Sequence, residues 1–381
     1  MKTLIAFWLC AALANAVPAA TLAPASVRIL KAGIGLNADT PQGRGLRKFG
    51  ELVEARTNGR LRVELFTSGK LGDDLAMVNA MREGTQDIAC PDSSTLAGMV
   101  KEFSVVNYPF TFLNESEADH VLDGPWGAHA MAELPAHGLV GLAFWENGFR
   151  HLTNSQRPLA TLAQAKGLRM RTMQNQMLID SFTTLGFNAV PMPFPKVYQA
   201  LADKQVDGQE NPLPTILSSR FFEVQRHLTL SRHVYSAFVL LISKSTWESL
   251  TPSDREIVAN SAADARTFQR AVNREVTSAA LEQLKKLGMQ VTSIDVREAE
   301  SVRRRLRSVL ERYNKDIGER SVIAMYVSLG QWRTNHGAPP SAVAPAAEAA
   351  PSRALPPTMT PSPSLFQPAG TLTARGSAPG F

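Results

Sequence analysis

Hydrophobic and polar positions change period repeatedly between Val27 and Trp332, and the changes predict alternating strands and helices. Residues 27–35 are a short apolar run that leads into Gly35-Leu36-Asn37. Residues 43–56 carry helical spacing and close on Thr57-Asn58-Gly59, a helix stop signal. Residues 61–66 alternate as a strand, 75–83 are helical up to Gly84, and 87–91 form a short strand before the Ser93-Ser94 turn. Residues 139–145 are another apolar strand. This alternation argues for α/β layers with mainly parallel sheets. In open α/β sheets, ligands bind beyond the carboxyl ends of the strands. The expected ends are Asn37, Ser93, the 147–150 segment with Asn147 and Arg150, Arg171, Asn211 and His233. That set is polar and cationic, which suits a small anion.

The stretch 167–212 is the most informative. It holds GLRMRT, with Arg169 and Arg171 two apart at the end of a strand pattern, and Arg150 stands upstream in WENGFR. No nucleophile, acid/base pair or metal cluster accompanies them, so capture of an anion fits better than reaction with it. The chain also lacks a G-x-S-x-G elbow, an H-E-x-x-H helix and a Walker loop. Each residue has a plainer reading. An arginine at a strand end is more often structural or solvated. Phe194, between Pro193 and Pro195, suits a core; Asn211 before Pro212 suits a turn; His233 suits a satisfied histidine. Their shared topological position gives the binding reading its weight.

The amino-terminal segment has the form of an export signal: Lys2, an apolar run over 4–13, and Ala14-Asn15-Ala16, with Ala20 as a second cleavage candidate. Residues 1–20 are therefore expected to be removed on export to the periplasm. The run is too short to span a membrane. Phe-Trp-Leu is a poor approach to a lipidated Cys10, and after cleavage Cys90 is alone, so no intrachain disulfide forms. About three hundred remaining residues suffice for two domains. The formal charge of +6 is interspersed except for Arg303, Arg304, Arg305 and Arg307, which sit among Glu298, Glu300 and Glu311. Without aromatic or glycine-rich partners the cluster reads as a solvated helix face, and nucleic acid is excluded as a partner. Ten prolines between Pro339 and Pro379, with few charges, make 334–381 a disordered Pro/Ala-rich tail.

Several separated segments, in order, carry a family resemblance: RTNGRLRVELFTSGKLGDD, MREGTQDIA, WENGFRHLTNSQRPL, KGLRMRT, PMPF, VYQAL, VDGQENPL and FFEVQRHLTLSRHVYS. They resemble the solute-binding subunits of TRAP transporters (tripartite ATP-independent periplasmic transporters) of the DctP type, from about residue 27 to 332. The Pro/Ala-rich tail departs from that family's compact end.

The resemblance implies an α/β, two-lobed periplasmic binding protein fold with a ligand cleft between the lobes, crossing hinge strands and a long helix. Lobe one would comprise 27–147 plus about 236–276, and lobe two 148–235 plus about 277–333. It implies a ligand carboxylate paired with Arg171, with Arg150, Asn211, Phe194 and His233 around it; Asn37 and Ser93 match only by position. It implies no catalytic residue, metal or cofactor. The partners would be a small carboxylate and the membrane subunits of a TRAP permease driven by an ion gradient, with the receptor a monomer. A receptor for a sensor or another permease is the alternative, followed by a secreted enzyme acting on a carboxylate. Arginine suits the anchoring role because its planar fork holds a carboxylate bidentately. Closure of the lobes would follow if the ligand touches both only in the closed state.

Overall fold

The computed structural model describes residues 27–337. The expected export signal (1–20) and the tail beyond Gly337 lie outside them. The last helix runs three residues into the expected tail (334–381). The helix Glu319–His336 continues through Thr334, whose Oγ1 donates to Gly330 O at 2.9 Å, to His336, whose ring stacks on Trp332 at 4.6 Å.

Local signals set the first elements. Thr40 caps the helix Pro41–Arg56 by accepting from Gly43 N at 3.0 Å, and Pro41 occupies the first turn, where its missing N–H costs nothing. Gly43 is required there, because a Cβ would stand 2.5 Å from Asn37 O. The helix ends where Asn58 and Gly59 turn left-handed, as the stop signal predicts.

Nine strands form one sheet among the described residues: β1 (Arg28–Gly33), β2 (Leu61–Phe66), β3 (Ile88–Ala89), β4 (Leu139–Asn154), β5 (Arg169–Thr172), β6 (Asn188–Pro191), β7 (Gly208–Asn211), β8 (His227–Ser243) and β9 (Gln290–Ser293). Their order is β2-β1-β3-β8-β4-β7-β5-β6, with β9 beside β8. The β1–β2, β1–β3, β5–β6, β5–β7 and β8–β9 pairs are parallel, as expected. The centre departs from the expectation. β4 and β8 pair antiparallel along their length, from Leu139↔Ser243 to Asn154↔His227. At about 3.3 Å per residue, the 17 residues of β8 run about 55 Å, long enough to serve both halves of the molecule.

The two strands cross between two lobes. At one end β3 joins β8 through Ile88↔Ile242; at the other β7 joins β4 through His151↔Asn211. The helix Pro252–Lys286 follows the same path, about 52 Å at 1.5 Å per residue. Its Val258, Ala262 and Ala265 belong to the core of Leu46, Phe49 and Trp145 in lobe one. Its Ala280 and Leu284 belong to the core of Ile216, Phe221 and Leu228 in lobe two. The helix Val296–Ile317 buries Val302 and Leu306 with Phe182 of lobe two. The last helix then turns back: Val322, Met325 and Leu329 join Phe112 and Trp126 of lobe one, and Arg333 Nη2 lies 2.7 Å from Glu117 Oε2.

Candidate functional site between the lobes

β4 bends where it passes from one lobe to the other. Its register slips between Glu146 and Gly148, and Gly148 sits at φ +106°, a conformation that strains any side chain. The long helix pins the bend. Gln269 Nε2 donates to Glu146 O at 2.7 Å, Asn273 Nδ2 to Glu146 Oε1 at 2.8 Å, and Arg274 Nη2 to Glu146 Oε2 at 2.7 Å. Asn147 and Arg150 are thereby held in mid-strand at the crossing. The sequence places them at a strand end because the polar bend interrupts the apolar run, yet β4 continues to Asn154.

A cavity opens at this crossing. Arg150, Arg171, Phe194 and Asn211 line it, with Asp74, Asp92, Asn147 and Gln174. It draws on β4 and β8 and on loops of both lobes.

Arg171 is next to last in β5. Arg169, two residues earlier on the same face, is solvent-facing and ion-paired to Asp207 at 2.8 Å. Arg171 is 3 % exposed. Its Nε and Nη2 donate to Met192 O at 3.0 and 2.7 Å, and its guanidinium stands 6.0 Å over the Phe194 ring. Among the described residues it has no carboxylate partner, and its Nη1 makes no hydrogen bond. Burial lowers it to about 10, which Glu210 opposes and Arg150 reinforces, so it remains a cation at neutral pH.

Arg150 is differently placed. It is 1 % exposed and gripped by Glu210: Nε donates to Oε2, Nη2 to Oε1 at 2.8 Å and to Glu210 O at 2.6 Å. Burial opposes the Glu210 charge, but Arg150 and His233 outweigh it and hold the carboxylate down to about 2. Arg150 therefore brings a neutralised pair to the cavity wall. Asn211 ends β7 and donates from Nδ2 to Gln209 Oε1 at 2.6 Å.

Three expected residues do not line the cavity. His233 lies within β8 behind Glu210, with Nε2 3.4 Å from Glu210 Oε2 and Nδ1 2.7 Å from Ser231 Oγ. Ser93 is fully buried, because Asp92 caps the turn after it by accepting from Ser94 N at 2.9 Å, turning Ser93 into the interior. Asn37 bridges the lobes instead, donating from Nδ2 to Ser218 O at 3.2 Å. Asn175 makes a second bridge, from Nδ2 to Ser94 O at 3.1 Å.

The sequence reading missed Glu210, Asp92 and Asp74. Glu210 precedes the selected Asn211 and Asp92 the selected Ser93, while Asp74 stands in the LGDD of a segment that carries the family resemblance. Asp74 is half-buried and accepts from Asp92 N at 3.0 Å. Burial, with Asp92 and Asp73 nearby, pushes it up to about 7 against the pull of the Asp92 N–H and Arg171. No group of three or more His, Cys, Asp or Glu among the described residues is arranged to hold a metal ion.

Two α/β lobes on crossing strands, with a buried arginine that lacks a carboxylate partner in the cleft between them, define a two-lobed solute-binding protein. The model of the bacterial extracellular solute-binding protein family 7 (DctP) matches residues 32–316, and the chain belongs to that family. The 2,3-diketo-L-gulonate-binding periplasmic protein YiaO of Escherichia coli is 37% identical over 250 residues, 65% of this chain and 76% of that protein. The sugar acid binding protein of Advenella mimigardefordensis, solved with galactonate, is 39% identical with a TM-score of 0.78, covering 80% of this chain and 98% of that one. A TRAP periplasmic solute binding protein of a Polaromonas species, bound to D-erythronate, is 38% identical with a TM-score of 0.76, covering 78% and 98%.

Proposed function

We propose that this chain is the exported receptor of a TRAP transport system. It binds a small organic acid between its lobes, releases it unchanged to the membrane subunits of the permease, and works as a monomer in the periplasm after loss of residues 1–20. Import is driven by an ion gradient. No helix among the described residues is long and apolar enough to cross a membrane, which fits a partner that supplies the membrane path. Lobe one comprises 27–147 and about 236–276; lobe two comprises 148–235 and about 277–333, its last helix resting on lobe one.

The observation that carries the reading is the contrast between the two cleft arginines. Arg150 is already balanced by Glu210, whereas Arg171 is a buried cation without a carboxylate. Taking a charge out of water is costly unless a counter-charge meets it. A ligand carboxylate supplies that charge, and Arg171 Nη1 is the donor still available to it. Asn211 and the Phe194 ring complete the seat on the lobe-two side.

Calorimetric titration of the mature chain with a panel of organic acids tests this, with product analysis of every hit. Binding of one acid, lost in Arg171→Ala and without chemical change in the ligand, is the expected result. Turnover of the bound acid would make the protein an enzyme and overturn the reading.

A further inference from the structure

The lobe-one wall carries three carboxyls that the anion seat does not use; Asp73 caps the helix Asp74–Arg82 by accepting from Ala76 N at 2.9 Å, which leaves Asp74 and Asp92. Asp74 and Asp92 both line the cavity, and among the described residues neither is ion-paired to a lysine or arginine. Asp92 is fixed in place: Oδ1 accepts from Ser94 N at 2.9 Å, Oδ2 accepts from Ser236 Oγ, and its own N–H donates to Asp74 Oδ2 at 3.0 Å. Asp74 Oδ1 is left without a donor among the described residues. Gly35, also in the wall, has no side chain to cover that oxygen; a Cβ there would stand 3.1 Å from it. The cleft is thus asymmetric. One lobe offers an unpaired cation, and the other offers two unpaired carboxyls with open acceptor sites.

We propose that Asp74 and Asp92 form the selective end of the cleft, accepting hydrogen bonds from ligand hydroxyls and rejecting a second carboxylate. The receptor then takes polyhydroxy monocarboxylates of the aldonate kind and excludes the matching diacids. This rests on Arg171 as the carboxylate anchor proposed above. A hydroxyl suits the wall because it both donates and accepts. Asp74, pushed up to about 7 by burial, offers both a protonated and a charged form near neutral pH. The neutral amides of Asn147 and Gln174 line the same space and suit the same chemistry. A distal carboxylate there would face two like charges, an arrangement that weakens binding strongly.

Calorimetry at pH about 8, where Asp74 is mainly charged, decides it with galactonate, galactarate, erythronate, succinate, hexanoate and 6-aminohexanoate as probes. Galactonate or erythronate should bind, each diacid at least about tenfold more weakly than the hydroxy monoacid of its length, and hexanoate weakly. Asp74→Asn keeps an acceptor oxygen and should narrow the monoacid-to-diacid gap by about tenfold. Asp92→Asn is the second variant, with melting curves of both checking the fold. Diacid binding equal to that of the monoacid, an unchanged gap in both variants, or tighter binding of 6-aminohexanoate would each overturn the proposal. In those cases loss of binding in Arg171→Ala still supports the receptor reading. If no acid binds, or if Arg171→Ala binds unchanged, that reading fails and this one with it.

Discussion

Arg150 and Glu210 meet as two parallel forks beneath the cleft floor, with the Arg150 Nη2 also donating to the Glu210 carbonyl. Both side chains are nearly inaccessible, at 1 % and 3 %. Breaking a buried pair by removing one partner leaves an uncompensated charge. Glu210→Gln should lower unfolding free energy by about 3–5 kcal/mol, measured by urea denaturation at neutral pH. The sign with pH follows from the depressed carboxylate. Its folded value of about 2 lies below the ordinary 4.5, so the contribution is full above about 4.5 and is lost as pH falls toward 2. The Glu210→Gln deficit should therefore shrink on acidification. A loss below about 1 kcal/mol at neutral pH would show the pair to be incidental.

Arg171 should behave oppositely in stability and in binding. Arg171→Ala removes a buried cation that lacks a carboxylate, so unfolding free energy should stay level or rise. The same variant should lose about 2–5 kcal/mol of ligand affinity, about thirtyfold to several thousandfold in Kd. Arg171→Lys keeps the charge but loses the fork, and should also bind poorly. Arg169→Ala is the control, since Arg169 spends its charge on Asp207 at the protein surface. Calorimetry and denaturation of the three variants settle it; a destabilised Arg171→Ala with normal affinity would make Arg171 structural.

The bridges over the cavity give a third prediction. Asn37 to Ser218 and Asn175 to Ser94 join the lobes without lining the cavity. A hydrogen bond formed only in the closed state adds to apparent ligand affinity, because the ligand selects that state. Asn37→Ala should weaken binding about two- to tenfold, the net worth of one such bond. Small-angle scattering should show that ligand reduces the radius of gyration of the wild-type chain. Unchanged affinity in Asn37→Ala would show that the bridge does not serve closure.

The helix Pro41–Arg56 and β2 were legible because capping, stop signal and alternation are local. The long antiparallel β4–β8 pair was not. Its polar bend at Glu146 to Gly148 looks like a strand end, and only contact with Gln269, Asn273 and Arg274, more than a hundred residues away, shows that the strand continues past the bend. Of the seven expected site residues, Arg150, Arg171, Phe194 and Asn211 reach the cavity, since the motif order behind the family resemblance was enough to place them. Asn37, Ser93 and His233 do not line it. Whether a residue or its neighbour faces the cleft depends on pleat and capping, as Asp92 shows by turning Ser93 inward. That Arg150 is neutralised could not be read from spacing, because Glu210 is brought to it by the antiparallel pairing of β4 with β7.

Asp74 gives a prediction in pH. Burial raises its folded value from 3.8 to about 7, so between those values the folded protein holds a proton that the unfolded chain has released. Its contribution to stability is full below about 4 and falls away as pH rises to about 7. Asp74→Asn cannot ionise, so the variant should gain on the wild type across that window and hold the advantage above it. Denaturation at a series of pH values reads the difference. Binding should follow the same group. A ligand with a carboxylate near Asp74 should bind more tightly as pH falls through about 7, because the protonated side chain no longer repels it, and Asp74→Asn should abolish that dependence. A stability difference between the two proteins that does not change between pH about 5 and about 8 would show that Asp74 is an ordinary exposed carboxylate, already charged throughout.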